Sequence, residues 1–179
     1  MIRKRLTKLL PDVDKLRQQK TFGVFGERLF HPALWHLNRR SVAGGLAVGL
    51  FCGLIPGPLQ MGGAALCALW LRINLPVALA TTLYTNPFTI IPLYLVAYRL
   101  GVLVLPGSAT AIPPAPVLSA NIGTSVASIT EWAGALGTPL LVGVPLLAAL
   151  LALAGYLVVR VTWGIYLRRE WHRRNARRA

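Results

Sequence analysis

"SVAGGLAVGLFCGLIPGPLQMGGAALCALWLR", residues 41 to 72, carries no charge until its final arginine and is interrupted near its middle by Pro56-Gly57-Pro58. Pro58 removes a backbone donor, and both prolines disfavour a continuous helix through the break. The arm from Ser41 to Ile55 would rise about 22 Å as a helix, short of the roughly 30 Å hydrocarbon core of a bilayer. The stretch therefore reads as a helical hairpin over 41–71, either re-entrant or built of two short arms. Within it Ser41, Gly45, Gly49, Gly53 and Gly57 recur every four residues. Small residues at that spacing line one helical face and admit another backbone closely. The partner of that face is open at this point: the return arm through Ala64 and Ala68, another segment, or a second copy of the chain.

The surroundings explain why such a hairpin belongs in lipid. Of the 179 residues, 55% are hydrophobic and only 13% charged, and the net charge is +14. A soluble domain carries about a quarter of its residues as charges. Ten of the nineteen Lys and Arg lie in residues 1 to 40 and six in residues 168 to 178, leaving Arg72, Arg99 and Arg160 between. Basic ends around an uncharged centre mark a membrane layout, and no specific nucleic acid is expected. Two further apolar segments complete it: a Pro-broken transmembrane helix over 75–104 and a C-terminal transmembrane helix over 139–166. The expected architecture is an all-α integral membrane protein with a basic segment 1–40, a membrane domain 41–166 containing an outer loop 105–138, and a basic tail 167–179.

The first twenty residues place Ile2, Leu6, Leu9, Val13 and Leu16 at helical spacing with basic residues between. This is an amphipathic N-terminal helix, lying on anionic lipid or forming a solvated tail. Lys and Arg close to membrane ends mark the cytoplasmic side, so both termini are expected there. Val117 to Leu136 again keeps helical period and reads as a weakly amphipathic helix at the outer surface, anchored by Trp132, with Glu131 in solvent.

The second segment holds the most unusual chemistry. In "TTLYTNPFTIIPLYLVAYR", Pro87 pushes Asn86 out of helical geometry and Pro92 is expected to repeat the disturbance. Backbone groups freed there must find partners, because an unsatisfied group in hydrocarbon costs several kcal/mol. Thr82, Thr85, Asn86 and Thr89 cluster at the break, Tyr94 and Tyr98 follow it, and Gln60 sits just past Pro58. Paired interrupted segments are how transporters build binding sites near the bilayer midplane. These seven residues are the candidate substrate-binding set, and Pro56, Pro58, Pro87 and Pro92 the candidate breaks. The structural alternative is a kink that only packs.

No carboxylate pair, nucleophile elbow, phosphate loop or dinucleotide fingerprint occurs, so no catalysis and no cofactor are expected. His31 and His36 lack a third ligand and imply no metal. Cys52 and Cys67 read as small buried apolar residues.

The run from about Phe30 to Gly101 resembles the bacterial membrane family known as domain of unknown function number twenty sixty-two. Its most distinctive element is matched by Asn86, Pro87, Thr89, Pro92, Tyr94, Tyr98 and Gly101. The resemblance implies a small bacterial inner-membrane protein and no particular activity. Two functions stay open: transport or permeation of a small solute or lipid-linked molecule at the two breaks, by a homo-oligomer, or a membrane scaffold or envelope assembly factor whose basic ends bind anionic lipid or a protein partner.

Overall fold

A computed structural model describes residues 32–57, 59–107, 112–116 and 121–176, which are helical with no strand among them. The helices are α1 (Pro32–Trp35), α2 (Arg39–Cys52), α3 (Leu59–Leu71), α4 (Leu75–Thr82), α5 (Pro87–Val104), α6 (Ile122–Ala135) and α7 (Gly137–Ala176). The expected N-terminal amphipathic helix and Pro58 lie outside the described residues.

Asparagine sets most of the helix starts. Asn38 accepts the Ser41 N–H at 2.7 Å, Asn74 the Val77 N–H at 2.9 Å, and Asn121 the Gly123 N–H at 2.9 Å. A side-chain oxygen at this position satisfies a donor that has no partner one turn back, stabilising the start by about 1 kcal/mol. The stops are equally local. Arg72 adopts φ 52° and the Ile73 N–H reaches back to Ala68 O at 3.1 Å, closing α3 with a left-handed residue. Gly137, at φ 67°, makes the sharp joint between α6 and α7.

The glycine stripe of α2 is covered by α4. A Cβ on Gly45 would lie 2.7 Å from Asn74 O, one on Gly49 would lie 2.5 Å from Ala78 O, and one on Gly53 would strike the Tyr84 ring. The order of these contacts makes α2 and α4 parallel, with their starts joined by the Asn74 N–H to Ser41 O hydrogen bond at 3.3 Å. α5 and α7 run antiparallel and cross just as closely: a Cβ on Gly101 would overlap Pro139 O and one on Gly143 would overlap Ala97 O. α7 then descends past α2, where Gly155 leaves room for Leu46 and Leu50. Ile90, Tyr94, Tyr98, Trp132, Leu136 and Leu147 fill the core between α5, α6 and α7. Cys52 and Cys67 are free, and Cys52 is buried with its sulfur 3.7 Å from the Cβ position of Gly63 on α3.

Among the described residues two helices are long and apolar enough to cross a membrane: α5, and α7 over Gly137–Trp171, whose most apolar 18-residue stretches have mean hydropathies of 1.7 and 2.4. Only 28% and 22% of those stretches are buried inside the protein. Large apolar side chains also project from other surfaces, among them Trp70 at 82% exposure and Leu59 at 71%.

Several expectations need correction. Pro92 does not repeat the disturbance: the segment 75–104 is interrupted at residues 83–86, between α4 and α5, and α5 runs through Pro92 without a break. The C-terminal helix is longer than 139–166; it continues through Arg160 to Ala176, so most of the basic tail is helical. Trp132 is no surface anchor. It is 6% exposed, packed in the core, and donates from Nε1 to Pro113 O at 3.1 Å. Glu131 is exposed.

Candidate functional site

The two breaks lie side by side, and the second supplies hydrogen-bond donors to the first. Where α2 ends, carbonyls lose their partners one turn ahead. Tyr84 donates to Leu50 O at 2.8 Å, Thr85 to Gly53 O at 2.6 Å, and Tyr94 to Leu54 O at 2.9 Å. Three hydroxyls from in and around the 83–86 break thus take over the carbonyl end of α2. The parallel packing of α2 on α4 makes this possible, because it brings both helix ends to one level.

The second break is satisfied largely from within. Asn86 is extended, at φ −140° and ψ 171°, and its Oδ1 accepts the N–H of Phe88 at 2.9 Å and of Thr89 at 3.0 Å. Thr89 Oγ1 reciprocates by accepting the Asn86 N–H at 2.9 Å and donates to Tyr84 O at 2.9 Å. Pro87 occupies the first helical position, where a missing N–H costs nothing. The Asn-Pro-x-Thr run is therefore a reciprocal helix cap, the device in which two side chains exchange bonds with each other's backbone.

Between the breaks lies a cavity of about 280 Å³ lined by Pro56, Gly57, Gln60, Met61, Thr85, Asn86, Pro87, Ile90, Val126 and Ile129. Both breaks contribute to its wall, and α6 closes one side. Val126 Cγ1 comes within 3.7 Å of the Cβ position of Gly57, whose φ of +74° turns the chain there. Thr85 Oγ1 also lies 2.8 Å from Gln60 Oε1 and 3.0 Å from Thr82 O. One hydroxyl proton serves a single acceptor at a time; a half-turn of the Gln60 amide would let its NH₂ donate to Thr85 while Thr85 donates to Gly53.

Of the candidate binding residues, the cavity brings together Gln60, Thr85 and Asn86. Thr82 is fully buried, with its hydroxyl on Leu79 O at 2.7 Å. Thr89 serves the cap, Tyr94 is held on Leu54, and Tyr98 is buried in the core. Of the candidate breaks, Pro56 and Pro87 line the cavity, and Pro92 sits inside α5. Gly45 and Gly49 face α4, Gly53 faces Tyr84 in the break, and Gly57 lines the cavity. No cluster of three metal-ligating side chains occurs among the described residues. The contribution of α6, through Val126 and Ile129, was not foreseen. The apolar period of 117–136 announced a helix, but nothing local to it specifies the surface it covers.

No curated protein and no solved structure matches the chain significantly. Residues 23–172 match the family described as "Uncharacterized protein conserved in bacteria (DUF2062)". That match takes in both breaks, the wall of the cavity and nearly all of α7, and the chain belongs to this bacterial family.

Proposed function

We propose that the protein sits in the bacterial inner membrane with both ends cytoplasmic, and that it binds and passes a small solute or lipid-linked molecule at the paired breaks. The observation that carries this reading is the cavity shared by the two breaks, with amide groups of Gln60 and Asn86 on its wall. Non-helical backbone at membrane depth is tolerated where protein or a cavity covers it, and a site at two discontinuous helices is a transporter arrangement. The membrane assignment is supported by the apolar, mostly uncovered surfaces of α3, α5 and α7, which a soluble monomer would not leave in water.

Orientation is supported by charge. Arg39 and Arg40 open α2, Arg72 follows α3, and the packing of Gly155 on Leu46 and Leu50 brings Arg160 toward the same end. With that end cytoplasmic, α2 and α3 form a re-entrant hairpin, α4 and α5 together leave the cytoplasm, and α7 returns. A second copy of the chain would have to dock on a face other than the glycine stripe, which α4 covers.

Flux measurements on purified protein in liposomes test the reading. Wild type should pass at least one class of small uncharged solute, and Val126→Trp, which fills the cavity, should abolish the flux while leaving the helical content unchanged. Absence of flux for every solute tested would favour the scaffold reading. That second reading rests on the C-terminal end of α7, which carries exposed Arg168 and Arg169 toward anionic lipid or a protein partner.

A further inference from the structure

We infer that the cavity at the breaks selects an uncharged amphiphile, one that presents a hydrogen-bond acceptor to Asn86 Nδ2 and lays an apolar body along Met61, Ile90, Val126 and Ile129. The inference rests on the binding-site reading above and specifies its ligand. Discontinuous helices ordinarily attract ions, because the free N–H groups of a helix start favour anions and the free carbonyls of a helix end favour cations.

At the start of α5 and the end of α2 these features are largely spent inside the chain. At the start of α5 every N–H has a partner: Asn86 N donates to Thr89 Oγ1, Phe88 and Thr89 donate to Asn86 Oδ1, Ile90 donates to Asn86 O at 2.9 Å, and Pro87 has none to offer. The N–H groups of Leu83, Tyr84 and Thr85 close onto Ala80, Thr81 and Thr82. At the end of α2 the carbonyls of Leu50, Gly53 and Leu54 are taken by hydroxyls. No charged side chain lines the cavity among the described residues. An ionised ligand would enter an apolar pocket with nothing to replace its hydration, which is strongly unfavourable.

What the wall does offer is specific. The N–H groups of Phe88 and Thr89 hold Asn86 Oδ1, so Nδ2 is left as a hydrogen-bond donor without a partner among the described residues. Gln60 adds the part of its amide not used by Thr85. The remaining wall is apolar, and the volume equals that of about nine waters, enough for the polar end of an amphiphile and its first methylenes rather than a whole lipid. An ester or amide carbonyl next to an alkyl chain fits this lining.

Photolabelling tests the assignment. The full chain in phosphatidylcholine nanodiscs would be exposed to a monoacylglycerol carrying a diazirine beside its ester, and in parallel to the same molecule as its phosphate monoester. Peptides containing Met61, Ile90 or Val126 should take up the uncharged probe at least about tenfold more than the charged one. Asn86→Ala removes the Nδ2 donor and should lower that uptake about tenfold, whereas Thr89→Val, which breaks the other half of the same cap and leaves Nδ2 in place, should keep it. Val126→Trp should abolish it. Equal or greater labelling by the phosphate, full labelling of Asn86→Ala by the uncharged probe, or equal losses in Asn86→Ala and Thr89→Val, would overturn the inference while leaving a binding site in place. Labelling of these peptides by neither probe would overturn both the inference and the site.

Discussion

Tyr94, on α5, donates its hydroxyl to Leu54 O at 2.9 Å across forty residues of sequence, and both residues are buried. The bond ties the end of one interrupted helix to the body of another. With Tyr84 and Thr85 it turns two separate defects in helical hydrogen bonding into one closed network.

Removing a single donor from that network strands a buried carbonyl, at a cost of about 1–3 kcal/mol. Tyr94→Phe should therefore lower stability by that amount, measured as denaturant unfolding in mild detergent. Tyr84→Phe should cost at least as much, because with the breaks in lipid the Leu50 carbonyl finds no water to replace the hydroxyl.

The glycine contacts predict an order of sensitivity to a single methyl group. Gly101→Ala and Gly143→Ala push a Cβ into opposing backbone carbonyls and should be the most damaging. Gly49→Ala, against Ala78 O and Thr81, should cost about 1–3 kcal/mol from overpacking. Gly62→Ala, with nothing within 4 Å, should be neutral or stabilise α3 by up to about 1 kcal/mol through helix propensity. Thermal unfolding of the four variants checks the ranking.

The Asn86 cap separates two roles of one side chain. Asn86→Ala should destabilise by about 0.5–2 kcal/mol, whereas Asn86→Ser should fold nearly as well as wild type because it keeps a capping oxygen without adding a charge. Thr89→Val should resemble Asn86→Ala, since it removes the partner of Asn86 N and a donor to Tyr84 O. Equal losses for Asn86→Ala and Asn86→Ser would contradict the cap.

How far the sequence discloses this arrangement depends on the range of the interaction. The break at 83–86 is legible because Asn-Pro-x-Thr carries its own replacement bonds within four residues. Pro92 has no such neighbour: Ile91 before it is apolar and offers no side-chain partner to the backbone, so the helix continues through the proline. The stripe from Ser41 to Gly57 announces a close approach, yet its partner α4 is about thirty residues away and no local pattern names it. Gly143 and Gly155 went unread for the same reason, since each answers to a helix met only in the folded chain. Among the binding candidates, Gln60, Thr85 and Asn86 converge because they flank the breaks themselves. Tyr94 and Tyr98 follow the same helix face inward, to the core. Trp132 has the amphipathic character of a surface anchor, but its indole N–H finds Pro113 O and the ring is buried.

The most direct test is the membrane depth of the two breaks, read by nitroxide relaxation in liposomes with Cys52 and Cys67 replaced by alanine. Spin labels at Met61 and Phe88, both on exposed positions beside a break, should relax with dissolved oxygen far more than with a water-soluble nickel chelate, and both should report the same depth near the bilayer centre. Strong relaxation by the chelate at both positions, or depths differing by half the bilayer, would show that the breaks neither meet nor lie within lipid.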